Sequence, residues 1–192
     1  DTTKNTEEHI KMMEKSSKEN VDITVFPELS ITGYTCQDLF FQKELLDKTY
    51  SSLIEIKKKS EKLKGIFVVG APIKHKNQLF NCAVVISNGT VYGIVPKTYL
   101  PNYNEFYEKR WFSTSMDLED TFINFDGEEV PFSQNVFDAK GFTFGVEICE
   151  DLWTPIPPST VLSMSGAEII LNLSASNALI GKRDYVNSMV KQ

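Results

Sequence analysis

Two apolar runs, Leu79–Ser87 and Thr90–Pro96, flank the dipeptide Asn88-Gly89. No other feature restricts the fold as strongly. Asn and Gly both tolerate positive φ, which a type I′ turn requires at its two central positions, so the pair joins adjacent antiparallel strands. A chain with such a hairpin is not a purely doubly wound parallel sheet, whose strands need long crossover connections.

Helical and extended segments alternate around this hairpin. Thr6, Glu7 and Glu8 ahead of Ile10, Met12 and Met13 predict a capped amphipathic helix ending near Asn20. A short strand, Asp22–Phe26, closes at Pro27. Asp38 is placed to cap a second helical region through Leu45, Leu53 and Ile56 to about Leu63. Gly65 ends it, and Ile66–Gly70 reads as a strand. Phe122–Phe125, Asn135–Ala139, Phe142–Ile148 and Glu168–Leu173 follow as strands, with turns at Asp126-Gly127 and Lys140-Gly141. Pro157-Pro158-Ser159 opens a helix to about Ser165, and a last helix starts near Lys182. This mixture points to an α/β sandwich. At 192 residues, with no linker or repeat, one domain is expected.

Charge and composition exclude several functions. A net charge of −6 offers no basic field for nucleic acid or anionic lipid. The lysines at 57, 58, 59, 62 and 64 alternate with Glu55 and Glu61 and read as a solvated helix face. The apolar run around Ile66–Ile73 is too short to cross a bilayer. Cys36, Cys82 and Cys149 are odd in number and far apart, which argues against a disulfide framework and for the cytoplasm. No CxxC or HExxH motif supplies metal ligands, and no glycine-rich phosphate loop is present. His9, on the first helix, and His75, in a lysine-rich loop, are poorly placed to act as bases.

Chemistry must therefore come from Cys, Glu, Lys and backbone groups. Three such residues each follow a strand: Glu28 after Asp22–Phe26, Lys97 after Thr90–Val95, and Cys149 after Phe142–Ile148. Groups at strand ends project from a rigid sheet into the cleft beyond it. Singly, each has a plainer explanation: a small core cysteine, a surface glutamate, a solvated lysine. Together they suffice for amide cleavage. A thiol near neutral pH needs a base to become a nucleophile. Glu28 serves if burial raises its pKa toward the working range, and it can then protonate leaving ammonia. Lys97, with the backbone N–H of Glu150, would stabilise the oxyanion. A buried lysine needs further partners, and Glu105 is the expected holder of Lys97.

The surrounding segments VFPELSITGY, PKTYLPNYNEFYEKRWF and GVEICEDLW resemble, in order and separation, the three signature segments of the nitrilase (carbon–nitrogen hydrolase) superfamily. That resemblance implies an α-β-β-α sandwich, with Glu28, Lys97 and Cys149 as the catalytic triad and Glu105 as the additional structural glutamate. ELSITGYTCQDLF, KTYLPNYNEFYEKRWF, ICEDLWTPIPPS and NLSASNALIGKR resemble, more narrowly, the glutaminase domain of the glutamine-dependent NAD synthetase family. This implies cleavage of L-glutamine through a cysteine thioester, with ammonia passed to a synthetase domain of the same polypeptide. Tyr103, Phe106, Glu108, Glu150, Trp153 and Ser176 would line the glutamine pocket, with Glu108 holding the α-ammonium. Simple packing is the alternative for Phe106 and Trp153, and a turn cap for Ser176.

Members of the family have a further strand before the first helix and closing strands after the last. Residues 1–192 are thus expected to be a single partial domain, incomplete at both ends, and the chain opens at Asp1 without a methionine. The synthetase domain, with its ATP and Mg, lies outside this chain by the same resemblance, and no cofactor or metal is expected here. A homo-oligomer is expected, as is usual for the fold. Two other functions remain open: a stand-alone amidase for another small amide, and a non-catalytic domain retained for assembly.

Overall fold

A computed structural model describes residues 1–116, 118 and 121–191. Two sheets pack face to face between helices. The first half of the chain runs α1 (Thr2–Lys18), β1 (Ile23–Val25), α2 (Lys43–Ser60), β2 (Ile66–His75), β3 (Gln78–Ser87) and β4 (Thr90–Pro96). It continues as β5 (Thr121–Phe125), β6 (Glu128–Phe132), β7 (Val136–Asp138), β8 (Thr143–Ile148), α3 (Pro158–Met164), β9 (Ile169–Leu173) and α4 (Lys182–Lys191). One sheet has the order β1-β2-β3-β4-β6-β5 and the other β7-β8-β9. The pairs β1–β2, β4–β6 and β8–β9 are parallel; the rest are antiparallel.

Alternation along the strands explains the layering. Phe67, Val69, Ala71 and Ile73 of β2 face α1 and α2, where they meet Met13, Leu53 and Ile56. Val68 of β2, Ala83 and Val85 of β3 and Val95 of β4 point the other way, onto Phe144, Val146 and Ile148 of β8. A strand with both faces buried must be apolar throughout, which is why β2 and β3 read as continuous runs. Leu162 of α3 sits so close to Gly145 of β8 that a Cβ there would clash with it. The predicted α-β-β-α order is what forms.

The Asn88-Gly89 hairpin forms as expected, with φ of 48° and 72° at its turn residues. Other expectations need correction. Helix α1 begins at Thr2, capped by Asp1, whose Oδ1 accepts from Thr3 N at 3.0 Å. Thr6 is interior and donates back to Thr2 O at 2.7 Å, an outlet open to any helical threonine. Asp38 caps nothing. It lies in a 3-10 segment, Tyr34–Phe41, and accepts from Arg110 Nε (2.6 Å) and Trp111 Nε1 (3.0 Å).

β2 extends to His75, so that histidine closes a strand and packs on the Phe132 ring at 5.1 Å rather than sitting in a loop. β6 carries Pro131 and two glutamates, a composition that hides a strand. It touches β4 at the single register pair Ile94–Phe132, so a missing proline N–H costs little. Lys57 leaves the solvated face predicted for it. It is buried, bonding to Asp126 at 3.0 Å and Glu128 at 3.3 Å where the β5–β6 hairpin folds over α2. All three cysteines are free thiols. No described helix is long and apolar enough to cross a membrane.

Candidate active site

Glu28, Lys97 and Cys149 converge at the strand ends. Glu28 sits in the turn after β1, whose next residue, Leu29, has φ of 50°. That turn lies flat on β2: Gly70 O accepts from Ile31 N at 3.2 Å, and a Cβ on Gly70 would fall less than 3.0 Å from Pro27 O, Leu29 N and Glu28 C. Only glycine permits this approach. Gly70→Ala is therefore expected to destabilise the fold by about 1–3 kcal/mol and to cost at least about tenfold in turnover by lifting Glu28. Urea unfolding and steady-state kinetics test this; unchanged kinetics would show that the turn's height is immaterial.

Lys97 follows β4, its own N–H bonded to Asn81 O at 2.8 Å. Its side chain is 0% exposed, and Glu28 and Glu108 are 2% and 1% exposed. Lys97 Nζ donates to Glu28 Oε1 at 2.6 Å and to Glu108 Oε1 and Oε2 at 2.8 and 3.0 Å. Burial alone would lower the lysine pKa, but the Glu28 and Glu108 charges outweigh it and hold the ammonium firmly protonated. Burial likewise pushes the Glu108 carboxyl above the usual range, against the pull of Lys97, with the Glu28 charge adding to the rise.

The expected holder of Lys97, Glu105, is not there. Glu105 is exposed and accepts from the Asn177 amide. Glu108 takes its place, and with Tyr34 OH also donating to it at 2.7 Å, it is not free to meet a substrate ammonium. Both assignments fail for one reason: Glu105 and Glu108 are three residues apart on an irregular segment with no periodicity to say which turns inward.

Glu28 is held by groups the sequence does not announce. Its Oε1 accepts from Asn81 Nδ2 (2.8 Å) as well as Lys97, and its Oε2 from Ala175 N (3.0 Å). A carboxylate oxygen offers two lone pairs. Among the described residues Oε1 thus meets two donors and Oε2 one, which leaves Oε2 one acceptor position. Asn81 had one visible signal, a lone amide inside the apolar run Leu79–Ile86.

Cys149 begins a 3-10 turn, Cys149–Trp153, directly after β8, and has φ of 47°. A Cβ-bearing residue adopts this left-handed conformation at a cost, and such strain gathers at functional sites. Burial pushes the thiol up to about 12; the Glu28 charge adds to the shift, and Lys97 opposes it. Burial therefore favours the thiol over the thiolate in the resting site.

Cys149 opens into a pocket of about 490 Å³ that also includes Tyr103, Phe106, Glu150, Trp153 and Ser176. These five of the predicted pocket residues are brought together; Glu108 lies behind Lys97 instead. Tyr103 OH donates to Glu150 Oε2 at 2.8 Å. Phe106 and Trp153 are half-buried and face this space rather than a closed core. Ser176 is exposed and accepts from Lys182 Nζ. Lys182, read from the sequence only as the start of the last helix, also lines the pocket. Its Nζ bonds to Asn177 Oδ1 at 2.8 Å and lies 5.5 Å from the Trp153 ring, which stacks on Tyr185. A larger cleft of about 670 Å³ next door shares Tyr103 and Glu150 but none of the triad.

The family model for carbon-nitrogen hydrolases matches residues 1–189. Among curated proteins, the glutamine-dependent NAD(+) synthetase of Mycobacterium tuberculosis H37Rv is 41% identical over 166 residues, covering 84% of this chain and 24% of that protein. The human protein of the same name is 32% identical over 182 residues, covering 90% of this chain and 26% of that one. This chain thus spans about a quarter of the length of these relatives. A crystal structure of a glutamine-dependent NAD(+) synthetase from Cytophaga hutchinsonii superposes with a TM-score of 0.87 at 29% identity, over 99% of this chain and 31% of that one. An amidase from Nesterenkonia sp. shares the fold, with a TM-score of 0.74 at 19% identity over 95% of this chain and 63% of that one.

Proposed function

The chain belongs to the carbon-nitrogen hydrolase family, and from that premise we propose that it hydrolyses the side-chain amide of L-glutamine. It does so as the glutaminase part of a glutamine-dependent NAD synthetase, delivering ammonia to a synthetase domain of the same polypeptide. ATP and Mg²⁺ would serve that other domain, not this pocket. The observation that carries the reading is the buried Glu28–Lys97–Glu108 cluster set beneath a cysteine that opens into a pocket with charges of both signs at its rim.

Glu28 Oε2, with its free acceptor position, takes the thiol proton as Sγ bonds to the amide carbon. Because the resting thiol is protonated, attack and proton transfer proceed together rather than through a standing thiolate. Lys97 has three N–H donors and three carboxylate oxygens around it, so it meets the oxyanion by loosening its longest contact, 3.0 Å to Glu108 Oε2. The Glu150 N–H would be the second donor. Collapse breaks the C–N bond, Glu28 returns its proton to the nitrogen, and ammonia leaves a thioester on Cys149. Water then loses a proton to Glu28 and attacks the thioester, the C–S bond breaks, and the sulfur regains that proton as glutamate departs.

The rim suits an amino-acid zwitterion. Glu150 offers a carboxylate for the α-ammonium, and Lys182 a cation for the α-carboxylate. Lys182→Met is expected to raise KM for glutamine by about 10–100-fold, the worth of one hydrogen bond to a charged group, with kcat within about threefold. An unchanged KM would remove Lys182 from recognition. The substrate itself is tested by turnover of a panel of short amides. If any is cleaved far faster than glutamine, the chain is a stand-alone amidase.

The cytoplasm fits the three free thiols, which persist in a reducing compartment. Assembly into a homo-oligomer fits the outward face of α3, where Val161 and Met164 are 58% and 85% exposed.

A further inference from the structure

Asp151 takes no part in the steps above, yet it is 0% exposed. Its Oδ1 accepts from Thr98 N at 3.1 Å and Tyr99 N at 2.8 Å; its Oδ2 accepts from Ile148 N at 2.9 Å. Thr98 and Tyr99 are the two residues that follow Lys97 off β4, in the six-stranded sheet. Ile148 precedes Cys149 at the end of β8, in the three-stranded sheet. One carboxylate therefore bridges the ends of two strands that belong to different sheets and carry the reacting groups.

Apolar packing also joins these two strands: Val95 of β4 packs among Val146 and Ile148 of β8. Apolar burial is non-directional, so it resists separation but weakly specifies register. Hydrogen bonds to a carboxylate are directional and strong, and fix both distance and angle. The Ile148 bond also closes the chain around Cys149, as the returning side chain of a capping box does. It thereby holds the nucleophile at its φ of 47°.

We infer that Asp151 is a positioning residue: by clamping the residues after Lys97 to the residue before Cys149, it sets where the thiol stands relative to Lys97 and Glu28. Burial pushes its carboxyl up to about 7, although the Tyr99 and Ile148 N–H groups and Lys97 pull it down. The fold thus tolerates an acid that is costly to keep ionised, at the one place where both strand ends present N–H groups to it. The inference rests on Cys149 and Lys97 being the reacting groups.

Asp151→Asn keeps the size but turns one acceptor oxygen into a donor facing N–H groups. In this variant kcat for glutamine is expected to fall by about 10²-fold, with KM within about threefold. Alkylation of Cys149 by iodoacetamide, followed by mass spectrometry, should slow by at least about tenfold yet still go to completion. Asp151→Ser, which keeps one acceptor but cannot span both strand ends, should behave alike. The inference is overturned if either folded variant retains wild-type alkylation and kcat, or if the loss appears in KM alone. It is overturned equally if neither variant folds, which would assign Asp151 to folding only. A wild-type protein that fails to cleave glutamine sinks the proposed substrate, while the alkylation comparison still reads the clamp.

Discussion

Replacing Cys149 by alanine is expected to abolish glutamine hydrolysis, with a loss of at least about 10⁴-fold, because removing a nucleophile forfeits the covalent pathway altogether. The substitution deletes one sulfur and leaves the surrounding framework alone: Asp151 still binds Ile148 N, and Lys97 still bridges Glu28 and Glu108. No other thiol can stand in. Cys82 is wholly buried on the helix side of the first sheet, where desolvation raises its pKa well above the usual range. Cys36 donates to Thr32 O at 3.3 Å and lies outside the pocket. In a full-length synthetase, NAD formation from added ammonia should stay within about threefold of wild type, since ammonia bypasses the acyl transfer. Equal loss of the glutamine- and ammonia-driven reactions would make Cys149 structural.

The second large effect separates two neighbouring glutamates. Glu108→Ala leaves two of the three Lys97 N–H donors and the Tyr34 hydroxyl without their acceptor. Stability should fall by about 3 kcal/mol, the order expected for several buried donors left unpaired, with turnover reduced at least about 10²-fold. Glu28 still neutralises Lys97, so the cost comes from lost hydrogen bonds more than from a stranded charge. Glu108→Gln should show this directly. It keeps an acceptor and removes a carboxylate that burial already disfavours as an anion, so stability should change by less than about 1 kcal/mol while turnover still falls about tenfold or more.

The sign also predicts a pH effect. A carboxyl whose folded pKa is raised binds its proton more tightly in the native state, so it withdraws stability as pH rises from the unfolded pKa through the folded one. In Glu108→Gln that part of the decline should vanish, as pH-dependent urea titrations would reveal. Glu105→Ala, by contrast, should cost under about fivefold in turnover, since it removes only an exposed partner of Asn177. A severe loss there beside a mild one at Glu108 would reverse the two roles.

Much of this was legible in the chain. The strand–turn–strand at Asn88-Gly89, the apolar runs of β2 and β3, and the placing of Glu28, Lys97 and Cys149 at strand ends all follow from local chemistry. Turn residues must reach positive φ, a doubly buried strand must be apolar, and a residue just past a strand points into the cleft. Lys57 and Asn81 mark where that reading weakens. Lys57 looks solvated by every local measure until a hairpin from residues 121–132 closes over it. Asn81 is conspicuous in its strand, but nothing local says that Glu28 is its partner, 53 positions away.

Glu28, Lys97 and Cys149 were therefore named by the sequence itself, as candidates through their places at strand ends and as a triad through the resemblance of the segments around them. Which glutamate stands behind Lys97, which oxygen of Glu28 stays open, and how Asp151 ties two sheets together were decided only when the chain closed. The reason is desolvation. An exposed carboxylate such as Glu105 and a buried one such as Glu108 are chemically the same three positions apart, and only the packed environment, by stripping water from one of them, turns it into an obligatory partner for a lysine.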